Sequence, residues 1–390
     1  LITPPYTFPA VYSDGTVSTY SQERDANMRN PYNLLMNSGY AKEYRTAIQS
    51  KVYVDQKLDF ITKGLSVRLN ASYDYDSEMI VRREYNPTRY HATGRDENGN
   101  LLFATVVSGN PELQDPKNSA TSATKKIYID AAINYKRTFD QHEVGAMLLY
   151  MQKETQYHNV ALPYRKQGLV GRLTYGYGGR YFIEGNFGYT GSENFQPGRQ
   201  YGFFPSVALG WVPTGYKFIQ EALPWLDYLK IRASHGSVGN DRITDVRFPY
   251  LTKVNEGTGS AWGVPDIEII GETRIGADNL AWEKAIKSNV GIEGKLFNNK
   301  IDFVVDIFHD QRNGIFQQRV QVPEFVGVVS NPYANVGKMK SYGADGNISF
   351  TQDFTPDFGF TLRGNFTYSK NKVQNWEQAY LEYPYRFIVL

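Results

Sequence analysis

The clearest structural signal in this chain is the segment Leu65-Ser66-Val67-Arg68-Leu69-Asn70-Ala71-Ser72-Tyr73-Asp74-Tyr75. Every odd position carries an apolar or aromatic side chain, and every even position carries a polar one. Successive side chains of a β-strand point to opposite faces of its sheet, so this period of two predicts a strand with one apolar and one polar face. The segment therefore indicates a sheet whose two faces meet different environments.

The same alternation recurs along most of the chain and predicts about twelve strands. The predicted strands cover residues 44–58, 65–76, 124–138, 142–156, 167–177, 180–191, 201–212, 226–236, 283–296, 300–312, 341–352 and 358–370. Most of them have roughly 10–15 residues, whereas an ordinary strand has about 5–6. A tilted strand that crosses a membrane needs about 9–11 residues, so these strands are long enough. We expect an all-β fold, a transmembrane antiparallel β-barrel.

The composition narrows the class of protein further. The chain has 390 residues, of which 41% are hydrophobic and 21% charged, so it is not a disordered tail. Its 30 Tyr and 22 Phe suit the aromatic girdles of a membrane barrel, although a Tyr-rich secreted β-protein would share this feature. The net charge of +2, without a basic patch, gives no support for nucleic-acid binding. No apolar run is long enough for a transmembrane helix.

The connections between the predicted strands alternate between short and long. Tight turns with Gly, Asn or Asp are predicted at residues 61–64, 140–141, 178–179, 298–299 and 355–357, and a longer turn at 213–226. Long polar segments lie at about 77–123, 237–282 and 313–340. Since membrane barrels have short periplasmic turns and long outer loops, we expect these three segments to be extracellular. Residues 1–390 would then be part of one barrel domain, an internal fragment with residues 44–58 and 358–370 as open edges.

Several motifs occur in a fixed order. They are Gly171–Tyr175, Tyr181–Asn186, Tyr201–Trp211, Trp225–Asn240, Asn279–Lys284, Ser288–Gly291, Asn335–Met339 and Tyr342–Ala344. Over roughly residues 30–375, the chain resembles the SusC/RagA family of TonB-linked outer membrane proteins. It departs from the family at His235, where Tyr is more common, and at Asp345, where the acidic residue usually comes one place earlier.

The resemblance implies a barrel of about 22 strands, of which this chain would supply about twelve, and a plug domain that is absent from this chain. It implies import of oligomeric nutrients, glycan or peptide fragments, across the outer membrane of Bacteroidota. The implied partners are a SusD-like lipoprotein lid, the TonB-ExbB-ExbD complex acting through the missing plug, and outer-membrane lipid and lipopolysaccharide. The resemblance implies neither a cofactor nor an enzymatic activity.

Two alternatives remain open beside nutrient import. One is a TonB-dependent receptor for a metal chelate, and the other is a non-transporting surface adhesin or glycan-binding protein with a β-rich fold. A plug with a TonB box would separate both transporters from the adhesin. A lid lipoprotein would separate the nutrient importer from the chelate receptor.

Charged residues at the polar positions of the strands are the first group of candidate site residues. They are Arg68, Asp74, Asp130, Arg172, Glu184, Arg232, Glu293, Asp302, Asp306, Asp345 and Arg363. The interior of a membrane barrel is polar, so we expect these side chains to face the lumen and the plug. The competing interpretation is that they pair across strands and only stabilise the wall.

Aromatic residues in the long connections are the second group. Tyr250, Trp262, Phe325, Tyr333 and Trp376 are candidates for contact with a substrate or a lid, and ordinary loop packing is the alternative. We identify no catalytic or metal-binding residues, because the five His residues lack the spacing of a metal motif. The segment Asp96-Glu97-Asn98-Gly99-Asn100 begins like a calcium loop, but the later ligand positions are unsuitable. Asn98-Gly99 instead predicts a hairpin turn.

Overall fold

The computed structural model describes residues 8–20, 30–110, 112–242, 247–261, 264–277, 279–328, 330–379 and 382–386. The strands are β1 (Gly39–Lys57), β2 (Leu65–Glu84), β3 (Arg89–Arg95), β4 (Leu101–Val107), β5 (Lys117–Phe139), β6 (His142–Tyr157), β7 (Tyr164–Tyr177), β8 (Tyr181–Ser192), β9 (Tyr201–Trp211), β10 (Leu226–Asn240), β11 (Lys253–Ala261), β12 (Val264–Arg274), β13 (Glu283–Leu296), β14 (Ile301–Gln318), β15 (Tyr333–Thr355) and β16 (Phe358–Asn375). Two short helices are α1 (Pro31–Met36) and α2 (Lys217–Ala222). Among the described residues, no helix has the length and apolarity needed to cross a membrane.

Twelve of these strands form one antiparallel sheet, which confirms the predicted fold class. The order is β1-β2-β5-β6-β7-β8-β9-β10-β13-β14-β15-β16, so each strand lies beside its neighbour in sequence once the two loop hairpins are set aside. Those hairpins, β3-β4 and β11-β12, form separate two-stranded sheets. Such an up-and-down order follows from the tight turns, which can only join antiparallel neighbours.

The strands β1 and β16 stand at the two ends of the sheet order. Every residue of β1 is exposed, and so is every residue of β16 except one. The described sheet therefore does not close on itself, as the sequence led us to expect.

The residues divide into two compact units, which we describe separately. The first contains the described residues within Leu1–Ser50, Tyr73–Lys126 and Thr155–Pro163. Here the short segment 8–20 packs on the β3-β4 hairpin: Ser18 forms a parallel bridge with Tyr90, and the ring of Tyr12 lies 5.4 Å from that of Phe103. The buried side chain of Asn30 donates hydrogen bonds to the carbonyl groups of Ala10 (2.7 Å) and Ser18 (2.8 Å). This unit is thus a small β-structure held by backbone and amide contacts.

The second unit covers Lys51–Ser72, Ile127–Glu154 and the described residues within Tyr164–Leu390. Its strand register brings the predicted apolar positions into rows that cross the sheet. One such row, read from β7 to β16, is Tyr175, Ile183, Leu209, Ala233, Val290, Ile307, Ala344 and Tyr368. These residues and their equivalents two positions away define what we call the apolar face. Many of its large side chains are exposed, so this face is not covered by other described parts of the chain.

The short turns have the backbone conformation that the sequence predicts. Gly178 and Gly179 have φ values of 59° and 63°, and Asn298 and Asn299 have 58° and 60°. Asp140 in the β5-β6 turn has φ 52°. Asn, Asp and Gly tolerate this left-handed region better than other residues, and it lets the chain reverse within two or three residues.

Candidate functional site

The charged face of the sheet, opposite the apolar face, carries all eleven of the predicted lumen residues. They lie on β2 (Arg68, Asp74), β5 (Asp130), β7 (Arg172), β8 (Glu184), β10 (Arg232), β13 (Glu293), β14 (Asp302, Asp306), β15 (Asp345) and β16 (Arg363). Alternation alone fixes the face on which each side chain lies. The register then decides which of them meet.

The densest cluster centres on Arg232. Its Nε donates a hydrogen bond to Glu293 Oε1 and its Nη2 donates one to Asp306 Oδ2, both at 2.7 Å. In the register, Arg232 and Asp306 both lie opposite Gly291, so this contact spans an intervening strand. A Cβ atom at Gly291 would lie 2.5 Å from Asp306 Oδ1 and 2.9 Å from Arg232 Cζ. Glycine at this position is therefore what lets the guanidinium reach the second carboxylate.

A second carboxylate faces this cluster. Asp345 lies directly opposite Asp306 in the β14-β15 register. Asp306 is buried, and its Oδ1 has no hydrogen-bond partner among the described residues. Arg232 and Lys230, which lies opposite Glu293 in the register, supply two positive charges beside three carboxylates on neighbouring strands, so the negative charge is only partly balanced.

Other candidates form simpler pairs across strands. Arg172 Nη2 donates to Glu184 Oε2 at 2.6 Å, and Arg68 Nη2 donates to Asp55 Oδ2 at 2.5 Å. Asp130 is buried and accepts a hydrogen bond from Asn70 Nδ2 at 2.9 Å, and Asp302 pairs with Lys295 at 3.7 Å. Within the described part of the chain, no hydrogen bond or ion pair is formed by the side chains of Asp74, Asp345 and Arg363. Cross-strand pairing thus accounts for most of these charges, as the competing interpretation holds, but not for these three.

A recess lies in the charged face beside the cluster. It has a volume of about 370 Å³, and small residues on its floor include Gly145, Ala208 and Gly210. Glu184 and Arg232 also line it. The recess can therefore accept a side chain from another segment and meet it with charges of both signs.

The predicted loop aromatics have different surroundings. Phe325 lies in the turn Glu324–Val326 and is 90% exposed. Tyr333 stacks on Phe316 with a centroid distance of 5.0 Å. Tyr250 is half-buried with its ring 6.0 Å from that of Phe248, and Trp376 is half-buried. Trp262 lies outside the described residues.

Tyr333 and Phe316 belong to a hydrophobic cluster that sequence reasoning did not find. Its buried members are Phe195, Ala277, Leu280 and Trp282. Trp282 Nε1 donates to the carbonyl of Gln200 at 3.1 Å. This hydrogen bond fixes the connection before β13 to the residue that directly precedes β9.

Asn335 holds the same connection by a second contact. Its Oδ1 accepts from Ala281 N at 2.9 Å, and its Nδ2 donates to the carbonyl groups of Ala281 (2.9 Å) and Gly314 (2.8 Å). Trp282 and Asn335 both stand in the motifs that carry the family resemblance, and this shared membership was the only available signal of their contact.

A further anchor joins the β14-β15 connection to the segment after β16. Glu377 Oε1 accepts from the backbone N–H groups of Val320 (3.2 Å) and Gln321 (2.9 Å), and Oε2 accepts from Arg319 Nε (2.8 Å). Nothing in the sequence pattern indicated this contact. It connects segments more than 55 residues apart.

The segment that begins like a calcium loop is a turn between β3 and β4, as Asn98-Gly99 predicts. Asp96 accepts hydrogen bonds from the backbone of Asn98 (2.9 Å) and from the backbone (2.8 Å) and side chain (3.0 Å) of Asn100. The bonds from Asn100 hold the pKa of Asp96 below its ordinary value. Among the described residues, no group of three or more His, Asp or Glu side chains is arranged to hold a metal ion.

Comparisons with known proteins agree with this geometry. The family model described as "TonB dependent receptor-like, beta-barrel" matches residues 2–387. TonB-dependent receptor P39 of Formosa agariphila is 29% identical over 205 residues, which are 53% of this chain and 19% of that protein. TonB-dependent receptor SusC of Bacteroides thetaiotaomicron is 26% identical over 205 residues, 52% of this chain and 20% of that protein. The aligned part thus amounts to about a fifth of either relative.

A solved structure with a similar fold is described as "Structure of the RagAB peptide transporter". It superposes with a TM-score of 0.67 at 20% sequence identity, over 94% of this chain and 40% of that chain. At this level of identity, the similarity establishes the fold.

Proposed function

The chain belongs to the TonB-dependent receptor family and is a segment of its outer-membrane β-barrel, and from this premise we propose that the whole protein imports oligomeric nutrients. The substrate class is glycan or peptide fragments. TonB-dependent receptors are transporters, and we expect no catalytic step in the import.

The observation that supports this proposal is that one sheet has an apolar face and, opposite it, a charged face. The apolar face presents a row from Tyr175 to Tyr368 across eight strands, and the charged face presents Arg172, Glu184 and the Arg232 cluster. The hydrocarbon of the membrane favours the apolar face, and a hydrated transport path requires the charged face. An adhesin with a soluble sheet would gain nothing from an apolar face of this extent.

The charged face is proposed to line the lumen and to contact the plug. The acidic cluster of Glu293, Asp306 and Asp345 around Arg232 would meet a basic side chain of the plug, because its negative charge is only partly balanced. The adjoining recess of about 370 Å³, which has charges of both signs in its lining, offers room for a neighbouring side chain of the plug. The plug would carry the contact with TonB-ExbB-ExbD.

The connections at residues 77–123, 237–282 and 313–340 are proposed to be extracellular and to meet substrate or lid. Phe325 is the best-placed of the predicted aromatics, since it is exposed on a connection that Glu377 holds in place. Tyr333 is a weaker candidate because its ring is already stacked on Phe316. A SusD-like lipoprotein is the proposed lid, which the similarity to SusC and to the RagAB peptide transporter supports.

Purification of the native complex from the outer membrane tests this function. We expect a lipoprotein of the SusD type and an oligosaccharide or peptide to copurify, and both to be identified by mass spectrometry. Recovery of a metal chelate without a lid would favour the chelate receptor instead. Recovery of a barrel without plug, lid or ligand would favour the adhesin.

A further inference from the structure

The β11-β12 hairpin lies in the long connection between β10 and β13. Its two strands pair only with each other, so each keeps one edge without a partner strand among the described residues. The 9 residues of β11 extend for roughly 30 Å at about 3.3 Å per residue. A two-stranded hairpin is only marginally stable in water by itself, and a third strand adds stability. The free edges are therefore places where an extended segment can pair.

Both faces of this hairpin are open. On one face, Val254 is 57% exposed and Ile270 is 75% exposed. On the other face, the Cβ positions of Gly257 and Gly271 have no heavy atom of the surrounding structure within 4 Å. At these positions, the described parts of the chain therefore do not cover the hairpin.

One face carries acidic and aliphatic side chains in a regular series. Val254 lies opposite Glu272 in the register. Glu256 lies opposite Ile270, and Glu268 follows on the same face. The three glutamates are exposed, and their side chains form no ion pair within the described ranges. This face is therefore both apolar and negatively charged.

Two cations stand at the base of the hairpin. Lys253 and Arg274 lie opposite each other, beyond the irregularity in register next to Val254. Arg274 donates hydrogen bonds to the carbonyl groups of Leu251 and Phe248. Neither cation pairs with the glutamates in the part of the chain that the structure describes, so the negative charge of the face is open to a ligand.

The residues after β8 hold both ends of the segment that carries the hairpin. At its start, Asp241 is buried; its carbonyl accepts from Asn194 Nδ2 at 3.0 Å, and its Oδ1 accepts from Lys166 Nζ at 2.5 Å. At its end, the buried ring of Phe195 lies 5.1 Å from that of Trp282. The hairpin therefore has a fixed base, which lowers the entropy that a bound ligand must overcome.

We propose that the free edge of β12 binds cationic peptides in extended form, as a third strand of this small sheet. A peptide beside β12 places alternate side chains next to Glu268, Ile270 and Glu272, so the matching pattern has lysines at its first and fifth positions and an aliphatic residue at the third. Main-chain hydrogen bonds supply affinity, and the side chains supply selectivity. A neutral glycan offers neither a strand backbone nor positive charge. This inference rests on the proposed import function and narrows its substrate class to peptides.

Binding of labelled heptapeptides to the purified full-length receptor in detergent tests the site by fluorescence anisotropy. The matching peptide is Thr-Lys-Thr-Val-Thr-Lys-Thr. The control peptide Thr-Thr-Lys-Val-Lys-Thr-Thr has the same composition, but its lysines lie on the opposite face of the strand from the valine. We expect the control peptide to bind about fivefold more weakly, since two pairs of opposite charge across strands are lost. Equal binding of the two peptides, or binding of neither, overturns the proposal.

Matched variants locate the binding on the protein. Glu268→Gln combined with Glu272→Gln keeps the size of both side chains and removes their charge, so the preference for the matching peptide should disappear. Glu221→Gln, which removes an exposed carboxylate on α2, should leave the preference unaltered. An unchanged preference in the double variant refutes the site. Loss of a copurifying lid from the double variant, with peptide binding intact, assigns the hairpin to the lid and also overturns the proposal.

The binding assay requires neither a membrane nor transport. Its failure counts against the peptide site alone, because import of glycans does not need this site. Recovery of a metal chelate without a lid in the copurification counts against the proposed import function itself.

Discussion

The substitution Leu173→Arg on β7 tests the assignment of the apolar face to lipid. Leu173 is 67% exposed and lies opposite Gly185, so no neighbouring side chain on β8 covers it directly. The apolar positions of β7 run from Leu169 to Tyr177, and Leu173 is their midpoint. An arginine at this position would stand four residues, roughly 13 Å along the strand, from either end of the apolar band.

The expected cost follows from this central position. A charged side chain on the lipid face at the bilayer midplane costs about 2–4 kcal/mol, which is about 30- to 700-fold in a folding equilibrium. Thr174→Arg is the matched control, because Thr174 lies on the charged face directly opposite Glu184, beside the recess. A positive charge there faces a carboxylate and water.

The assay compares the folded fraction of the full-length receptor in outer membranes, measured by heat-modifiable migration on gels. We expect Leu173→Arg to reduce the folded fraction strongly and Thr174→Arg to leave most of the protein folded. Equal folded fractions for the two variants would refute the assignment of the two faces.

Three further predictions rest on other parts of the structure. Gly291→Val should break the ion pair between Arg232 and Asp306 and lower the free energy of unfolding by about 1.5–3 kcal/mol in urea titrations. Gly185→Val should cost less, because no atom lies within 4 Å of its Cβ position. Equal costs for the two variants would contradict the argument. Asn335→Ala removes two hydrogen bonds to Ala281, in the connection before β13, and one to Gly314 on β14. It should increase proteolytic cleavage between residues 275 and 282, and unchanged cleavage would argue against the anchor. A Cys at Asn98 should react with an impermeant maleimide on intact cells and a Cys at Asn298 should not; the reverse result would invert the orientation.

The sheet could be predicted from the sequence because each strand has one apolar and one polar face, so its residues alternate between the two types. The segment from Leu65 to Tyr75 alternates without interruption, and the structure places it in β2. The strand ends were harder to predict. β2 continues to Glu84 and β15 begins at Tyr333, not at 341. The alternation breaks in both extensions, since Met79, Ile80 and Val81 are three apolar residues in a row and Val336 and Met339 stand an odd number of positions apart.

The candidate site could be predicted only as a face. The alternation of side chains along the strands placed Arg232 and Asp306 on the polar face. Their contact, however, depends on the register of three strands and on the lack of a Cβ atom at Gly291. A tight turn fixes the register of the two strands it joins, but β10 and β13 are joined by a long connection, so no turn specifies the pairing of Arg232 with Gly291. For the same reason, the contact of Asn335 with Ala281 could not be inferred from two motifs 54 residues apart.

The anchor at Glu377 bears on how this protein can diversify. Two of its three contacts are made to the main-chain N–H groups of Val320 and Gln321, which every residue except proline possesses. The side chains at these two positions can therefore mutate without loss of those hydrogen bonds. The exposed tip at Phe325 can also accept new side chains or an inserted epitope while its base stays fixed. The surface of this connection can therefore vary in sequence while the sheet beneath it keeps its structure.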